Sequence, residues 1–321
     1  MTKALVLYES GPPENLTWED VEVGDPGLGE VRLRHTAVGF NSLDCEYRNG
    51  AIPLASSPTI IGGEGAGVVE AVGEDVSGVA LGDRMSYALA RGAYAEERIV
   101  SASVLVPIPD GVSDQAAAAL TTKGLTVYQL FHRAHALKFG QTILFHAAAG
   151  GVGLIACQWA RHIGATMIGT VGREEKTAAV LANGGAHAIV YTSDDVAARV
   201  AAITNGRGCD AVFDAVGKAT IDASLKSLAT FGTLARFGDI SGDVSTKLED
   251  LPVSTYFFKT SIMTLLRDPA DYRAAAKTVF DLAASGALDF SSGQTFALKD
   301  AADAHRLLEA RRNVGPIVLL P

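Results

Sequence analysis

The chain has 321 residues, 48% of them hydrophobic and only 20% charged, with 34 glycines and a formal net charge of −9. At about 150 residues per domain two domains are expected, and the composition suits a compact α/β protein rather than a disordered or coiled-coil one. The acidic balance, with no basic run from end to end, speaks against nucleic acid as a main partner.

The first residues, MTKALVLYESGPPENL, lack the basic start and long apolar core of a signal peptide, and no apolar run reaches the ~18 residues that span a bilayer. A cytoplasmic protein with no membrane partner is expected. From Lys3 to about Pro109 short runs with β character follow one another: Ala4 to Tyr8, Val31 to Val38, Gly67 to Val72, Met85 to Leu89 and Ala95 to Val100. Gly and Pro punctuate them closely, which predicts a compact, partly open β-barrel. Near Asp110 the texture changes. Ser113 can cap a helix through DQAAAALTTKGLTVYQLFHRAHAL, whose interior lacks proline, and a domain boundary is expected inside this stretch.

Beyond it, apolar strands alternate with helical segments. QTILFHA, ATMIGTV, AHAIVY, CDAVFDAV, FGTLARFG and SIMTLL are the strand candidates, and six strands with intervening helices predict a doubly wound parallel sheet. Helical periodicity returns in DYRAAAKTVFDLAASG and KDAADAHRLLEARR, and a short strand at Ile317 to Leu320 closes the chain. This last part reads as the second half of the first domain. Cys45, Cys157 and Cys209 are widely separated, with no CxxC pair and no His at metal-site spacing, as befits a reducing compartment without disulfides.

The strongest local signal is QTILFHAAAGGVGLIACQWARHIGATMIGTV, where a strand runs into Ala148-x-Gly150-x-x-Gly153 and directly into a helix. Gly150 lets backbone approach a diphosphate, the free N–H groups at the helix start face its charge, and Gly153 allows helix to pack on strand. Ala148 stands where the common form has its first glycine. Cofactor choice is read at the end of the second strand, in Gly172-Arg173-Glu174-Glu175-Lys176. Arg173 and Lys176 can neutralise a 2′-phosphate and Tyr191 can add a hydroxyl, which favours NADPH; Glu174 and Glu175 could serve the ribose of NAD instead.

Ile61-Gly-Gly-Glu64-Gly-Ala-Gly67-Val-Val-Glu-Ala-Val-Gly73, followed by Gly82-Asp83-Arg84, resembles the signature of the quinone oxidoreductase branch of the medium-chain dehydrogenase/reductase superfamily. Val38-Gly-Phe-Asn41-Ser-Leu-Asp44, Gly124-Leu-Thr126, HAAAGGVGLIACQWA, Asp214-x-Val216-Gly217 and Phe237-Gly238 extend the likeness along nearly the whole chain. The resemblance implies a Rossmann domain over 127–260, inserted between the two parts of a GroES-like substrate domain at 1–126 and 261–321. It further implies a homodimer that uses NADPH to reduce small quinones or activated alkenes. Zinc-dependent relatives carry Cys where this chain has Asn41 and His where it has Gly63, and the cysteine tetrad of their structural zinc is missing. No metal is therefore expected, since a water-activating zinc needs three protein ligands. The seven histidines are scattered, and each is better explained as a surface or packed residue.

Carried over position by position, the resemblance places Asn41, Ser42 and Asp44 in the cleft near the nicotinamide and Thr126 against its carboxamide or phosphate side. Gly150, Gly151, Val152 and Gly153 follow the diphosphate, and Gly172, Arg173, Lys176 and Tyr191 hold the adenosine phosphate. Val216, Phe237 and Gly238 flank ribose and ring, and Phe258 to Thr260 with Arg311 close the cleft. Other roles are open: Asn41 can cap a turn, Asp44 can N-cap the short helix containing Glu46 and Tyr47, and Phe237 can be core. Many family members have Tyr at the position of Glu46, whereas here the tyrosine is Tyr47, and Gln129 stands where close relatives carry an aromatic residue.

The chemistry expected is hydride transfer to an electron-poor acceptor, whose developing oxyanion takes a hydrogen bond from Asn41 or Tyr47. Asn41, Asp44 and Tyr47 are the cleft candidates for the catalytic step, with none essential, because solvent can protonate the product. An alkenal, enone or enoyl-thioester reductase is an alternative on the same fold. A nucleotide-binding structural or RNA-associated crystallin-like protein is the alternative of another class, and the acidic charge speaks against it.

Overall fold

The computed structural model describes residues 1–242, 244, 250–290 and 293–321, which divide into two compact units: Met1–Lys123 with Leu265–Pro321, and Gly124–Thr264. In the first unit β1 (Thr2–Leu7), β2 (Leu16–Val21), β3 (Glu30–Phe40), α1 (Ser42–Asn49), β4 (Thr59–Ile60), β5 (Glu64–Val72), β6 (Arg84–Tyr87), β7 (Glu97–Ser101) and β8 (Val106–Pro107) follow in order. β3 shows why these segments are strands: Val31, Leu33, His35 and Ala37 are buried at every second position, with Arg32 and Arg34 between them on the more open face. β5 packs against β3 so closely that a Cβ on Gly67 would lie 2.1 Å from the Arg34 carbonyl oxygen. The N-cap of α1 is Asn41, while Asp44 is its third residue and accepts the Asn41 backbone N–H at 2.9 Å. The alternative of Asp44 as N-cap is thus corrected: the cap falls three residues earlier, at Asn41, and the Asp44 carboxylate folds back on it.

Helix α2 (Asp114–Tyr128) begins where expected, with the Ser113 hydroxyl accepting the Ala116 N–H at 3.1 Å. It does not continue as an α-helix to Leu137. From Gln129 to Ala134 the chain makes a π-turn, and His135 N–H reaches back five residues to the Leu130 carbonyl. The division between the units falls inside α2, so no loop or change of composition marks it in the sequence.

The second unit continues with β9 (Thr142–Phe145), α3 (Gly151–Ile163), β10 (Thr166–Val171), α4 (Thr177–Ala182), β11 (His187–Val190), α5 (Val196–Ile203), β12 (Cys209–Asp214), α6 (Ile221–Lys226), β13 (Leu228–Arg236) and β14 (Tyr256–Lys259). The six strands form one parallel sheet in the order β11-β10-β9-β12-β13-β14. Covered on both faces, its inner strands read as apolar runs rather than alternating ones, and Leu144, Ile168, Val212 and Leu234 are fully buried. The strand expected at SIMTLL is instead a 3-10 helix, Ile262–Arg267, and the sixth strand lies just before it at Tyr256–Lys259. The Ser261 hydroxyl accepts the Met263 N–H and Leu265 is the one buried residue of the turn, so this short apolar run has no face for a sheet to cover.

The chain then returns to the first unit through α7 (Pro269–Ala284), β15 (Gln294–Ala297), α8 (Ala301–Glu309) and β16 (Ile317–Leu320). β15 and β16 extend the larger sheet, β15-β16-β3-β5-β6-β8, to which β7 also pairs through β3, while β2-β1-β4 form a smaller one. An isolated bridge from Ala4 to Ala95 joins β1 to the segment before β7, and no closed barrel forms among the described residues. The core of this unit includes Leu5, Leu33, Val38, Ile61, Tyr87, Tyr94 and Leu319. Burying each such side chain contributes roughly 1.5–3 kcal/mol.

Candidate functional site

In the second unit the carboxyl ends of the strands gather the chemistry. β9 and β12 are neighbours from which the chain winds in opposite directions, the switch point at which doubly wound sheets bind ligands. Gly150 is the N-cap of α3 and no side chain caps that helix, so the first N–H groups point outward from a positive helix end. A Cβ on Gly153 would lie 2.4 Å from the Ala148 carbonyl oxygen, which is how close the first turn of the helix lies to the loop that leads into it.

Beside it, at the end of β10, lie Gly172, Arg173 and Lys176. Burial first, and then the Arg173 guanidinium, hold the Lys176 ammonium below its ordinary pKa, so two cations lean on one another here. Arg173 is half exposed and pairs with Glu175 at 3.6 Å. The Tyr191 hydroxyl is 3.2 Å from where a Cβ on Gly172 would stand, so glycine keeps this corner open. A half-open patch of two cations and a phenol, next to an uncapped helix end, fits the phosphates of a phosphorylated dinucleotide.

The turn after β12 hangs on a buried carboxylate. Asp214 Oδ1 accepts the N–H groups of Val216 (2.8 Å) and Gly217 (3.0 Å), and the hydroxyls of Thr220 and Ser224 donate to Oδ2 at 2.9 and 2.7 Å. Ser224 also meets His146 Nε2 at 3.0 Å, and His146 Nδ1 meets the Thr170 hydroxyl at 2.8 Å. Serine, histidine and aspartate are thus in contact, but all three are fully buried and the serine proton goes to the aspartate, so no nucleophile results. The cluster fixes the loop that holds Val216, itself buried. Phe237 is half-buried with its ring 5.6 Å from that of Phe145, and a Cβ on Gly238 would sit 2.9 Å from the Ala215 carbonyl. Phe237 also lines a cavity of about 130 Å³ with Thr126, Gln129, Thr260, Ser261 and Ile262. Phe258 is 37% exposed on β14.

In the first unit Asn41 stands in a polar cluster with Glu64, Thr122 and Lys123. The fully buried Glu64 accepts the Thr122 N–H at 2.5 Å through Oε1, and through Oε2 the Asn41 amide (2.9 Å) and the Lys123 ammonium (3.0 Å). Lys123 donates again, to Asn41 Oδ1 at 3.0 Å. The Asn41 amide is therefore locked: its oxygen is taken by Lys123, one of its hydrogens by Glu64, and the other remains to give. Burial pushes the Asp44 carboxyl up to about 7, against the pull of the Asn41 N–H. Ser42 is exposed at the start of α1, Tyr47 is half-buried under the Arg91 guanidinium, and Arg311 lies in an exposed turn with φ of 55°. Neither Glu64 nor Lys123 was assigned a role from sequence. The signal was there for Lys123, the one charged residue between Asp114 and Arg133 in an otherwise apolar helix.

This cluster does not fit a catalytic zinc. Gly63 offers no side chain, Asn41 is engaged through both ends of its amide, and the Lys123 ammonium already meets the Glu64 charge. Among the described residues no group of three or more His, Cys, Asp or Glu could hold a metal ion.

A doubly wound sheet whose first turn is shaped for a diphosphate, joined in one chain to a largely antiparallel unit, defines a dinucleotide-dependent oxidoreductase of the medium-chain type. Two family models match: the alcohol dehydrogenase GroES-like domain over residues 27–110 and the zinc-binding dehydrogenase domain over residues 151–281. The chain is 41% identical to a quinone oxidoreductase of Pseudomonas aeruginosa, over 100% of both chains. It is 40% identical to a 2-haloacrylate reductase of a Burkholderia species, over 100% of this chain and 99% of the relative. The crystal structure of Escherichia coli quinone oxidoreductase complexed with NADPH superposes with a TM-score of 0.92 at 35% identity, covering 99% of this chain and 100% of that one. The chain belongs to the quinone oxidoreductase family of the medium-chain dehydrogenase/reductase superfamily.

Proposed function

We propose that this protein is an NADPH-dependent reductase of quinones and related electron-poor acceptors. The observation that carries the reading is the uncapped start of α3, held close to the turn after β9 by Gly153, with Arg173, Lys176 and Tyr191 beside it at the ends of the next two strands. The amides at Gly151 and Val152 bind the diphosphate, and the two cations take the phosphate that distinguishes NADPH from NADH. Bound NADPH supplies a hydride. Asn41, held by Glu64 and Lys123, offers its remaining amide hydrogen to the oxygen on which charge develops in the acceptor. Asp44 keeps the start of α1, and with it Asn41, in place. The 40% identity to the 2-haloacrylate reductase favours a second reading on the same machinery, reduction of a conjugated alkene.

The protein also acts as a homodimer in this reading. β14 is an edge strand with Tyr256 60% and Phe258 37% exposed, and Val253 and Phe231 stand open beside it, a row that a second copy of the same strand would cover. Sedimentation should then give twice the chain mass, and a Tyr256→Lys variant half of it. Cys45, Cys157 and Cys209 are free and buried, and no described helix is long and apolar enough to cross a membrane, which supports a cytoplasmic location.

Oxidation of NADPH and NADH, followed at 340 nm with a panel of quinones and 2-alkenals, tests the function. Arg173→Ala and Lys176→Ala should raise KM for NADPH about 10- to 100-fold, the size of a charge-assisted hydrogen bond, and leave KM for NADH within a factor of two or so. Equal effects on both cofactors would overturn the assignment of the phosphate pocket.

A further inference from the structure

Gln129 opens the π-turn that follows α2, and its side chain is 95% buried in the wall of the 130 Å³ cavity at the carboxyl ends of β13 and β14. Its amide nitrogen shares its two hydrogens among three acceptors, the Thr260 hydroxyl (2.5 Å), the Thr264 hydroxyl (2.7 Å) and the Ser261 carbonyl (3.2 Å). A carbonyl can only accept, so turning the amide round would set Oε1 against the Ser261 oxygen. Its oxygen, Oε1, is buried with no donor among the described residues. A buried acceptor without a donor loses its hydration and gains nothing for it, and such atoms in native proteins call for a partner. Thr264 passes its own proton to the Ser261 carbonyl at 2.8 Å. Thr260 accepts from Gln129, which leaves its own hydroxyl proton able to turn into the cavity that it lines. The cavity therefore offers one acceptor and one donor side by side, walled by Phe237 and Ile262, which is the complement of a primary carboxamide on a flat ring.

The sheet places this cavity where such a group would arrive. Arg173 and Lys176 stand at the end of β10, one strand to one side of β9 and its helix, while Phe237 and Thr260 stand at the ends of β13 and β14, two and three strands to the other side. With strands about 4.8 Å apart, a dinucleotide lying with its diphosphate on α3 and its adenosine phosphate on the cations carries its nicotinamide toward β13. We propose that Gln129 is a cofactor-positioning residue. Its Oε1 accepts a hydrogen bond from the carboxamide nitrogen of the nicotinamide, and the Thr260 hydroxyl donates to the carboxamide oxygen, which fixes the rotation of the ring. This rests on the NADPH reading above, and π-turns commonly mark such binding positions.

Binding without turnover tests it. Calorimetry on the purified protein compares NADPH with its reduced 3-acetylpyridine analogue, in which a methyl replaces the carboxamide amine and the ribose is unchanged. The wild-type protein should bind NADPH about five- to tenfold more tightly, the size of one neutral hydrogen bond, and Gln129→Met should bring the ratio close to one. Thr260→Val should weaken both ligands in equal proportion, because both keep the carbonyl. Equal wild-type affinities overturn the proposal, and need no variant to fold. A Gln129→Met that weakens both ligands alike overturns it too, since the partner would then be a ribose hydroxyl. Absence of any NADPH affinity in the wild-type protein would instead remove the cofactor reading itself, and this assignment with it.

Discussion

Lys123→Met is the substitution whose consequence the structure makes most definite. The side chain is 6% exposed and its ammonium lies 3.0 Å from Glu64 Oε2 and 3.0 Å from Asn41 Oδ1, while Glu64 is wholly buried. Methionine fills nearly the same volume, so the loss is electrostatic. It leaves a carboxylate in the interior with two neutral donors, the Thr122 N–H and the Asn41 amide. Removing one partner of a buried pair costs about 3–5 kcal/mol, whereas replacing both by neutral groups of similar shape is often close to neutral. Urea unfolding of the first unit should therefore show Lys123→Met destabilised by about 4 kcal/mol. Glu64→Gln should be destabilised to a comparable degree, and the double variant should recover most of the loss, ending within about 1–2 kcal/mol of the wild type, far short of the sum of the two single losses. A single variant within about 1 kcal/mol of the wild type, or a double variant no better than Lys123→Met, would refute the idea that this pair holds Asn41 in place.

Three further outcomes follow from buried groups. Asp44 has its carboxyl pushed up to about 7 by burial, against 3.8 in the unfolded chain, so between about pH 4 and pH 7 the folded state keeps a proton that the unfolded state has lost. Stability therefore falls as pH rises through that window and levels off above it, by up to about 4 kcal/mol. Asp44→Asn should abolish this component in urea titrations at pH 4.5 and pH 8, and a difference between the two proteins that stays constant with pH would contradict it. The thiols of Cys45, Cys157 and Cys209 are pushed up to about 12 by burial, and His305, 3.2 Å from Cys45, is held down to about 3 for the same reason, so it takes no proton from the thiol. A thiol reagent at pH 8 should label none of the three in the native protein and all three in denaturant. Gly153→Ala would put a Cβ 2.4 Å from the backbone oxygen of Ala148, so the second unit should lose about 2–3 kcal/mol of stability and the start of α3 should shift from the turn that precedes it. Unchanged thermal unfolding with unchanged NADPH affinity would show that the turn is looser than it looks.

Much of the fold could be read from the residues alone because the signals are local. The period of two in Val31 to Val38, the apolar runs of β9, β10 and β12, the capping serine at 113 and the glycines at 150 and 153 each act within a few residues, through backbone sterics and helix-end hydrogen bonding. The residues proposed for a diphosphate and an extra phosphate lie on turns that follow successive strands, which is local information of the same kind. Where local signals were ambiguous, tertiary contacts decided. Tyr256–Lys259 and Ile262–Arg267 are both short and largely apolar, and only pairing with β13 made the first the sheet's edge. The polar cluster was likewise out of reach: Lys123 meets a glutamate 59 positions away, and Gln129 meets a threonine 131 positions away. A charge in the interior is tolerated only where its partner is brought by the fold, and nothing in the immediate neighbourhood of either residue names that partner.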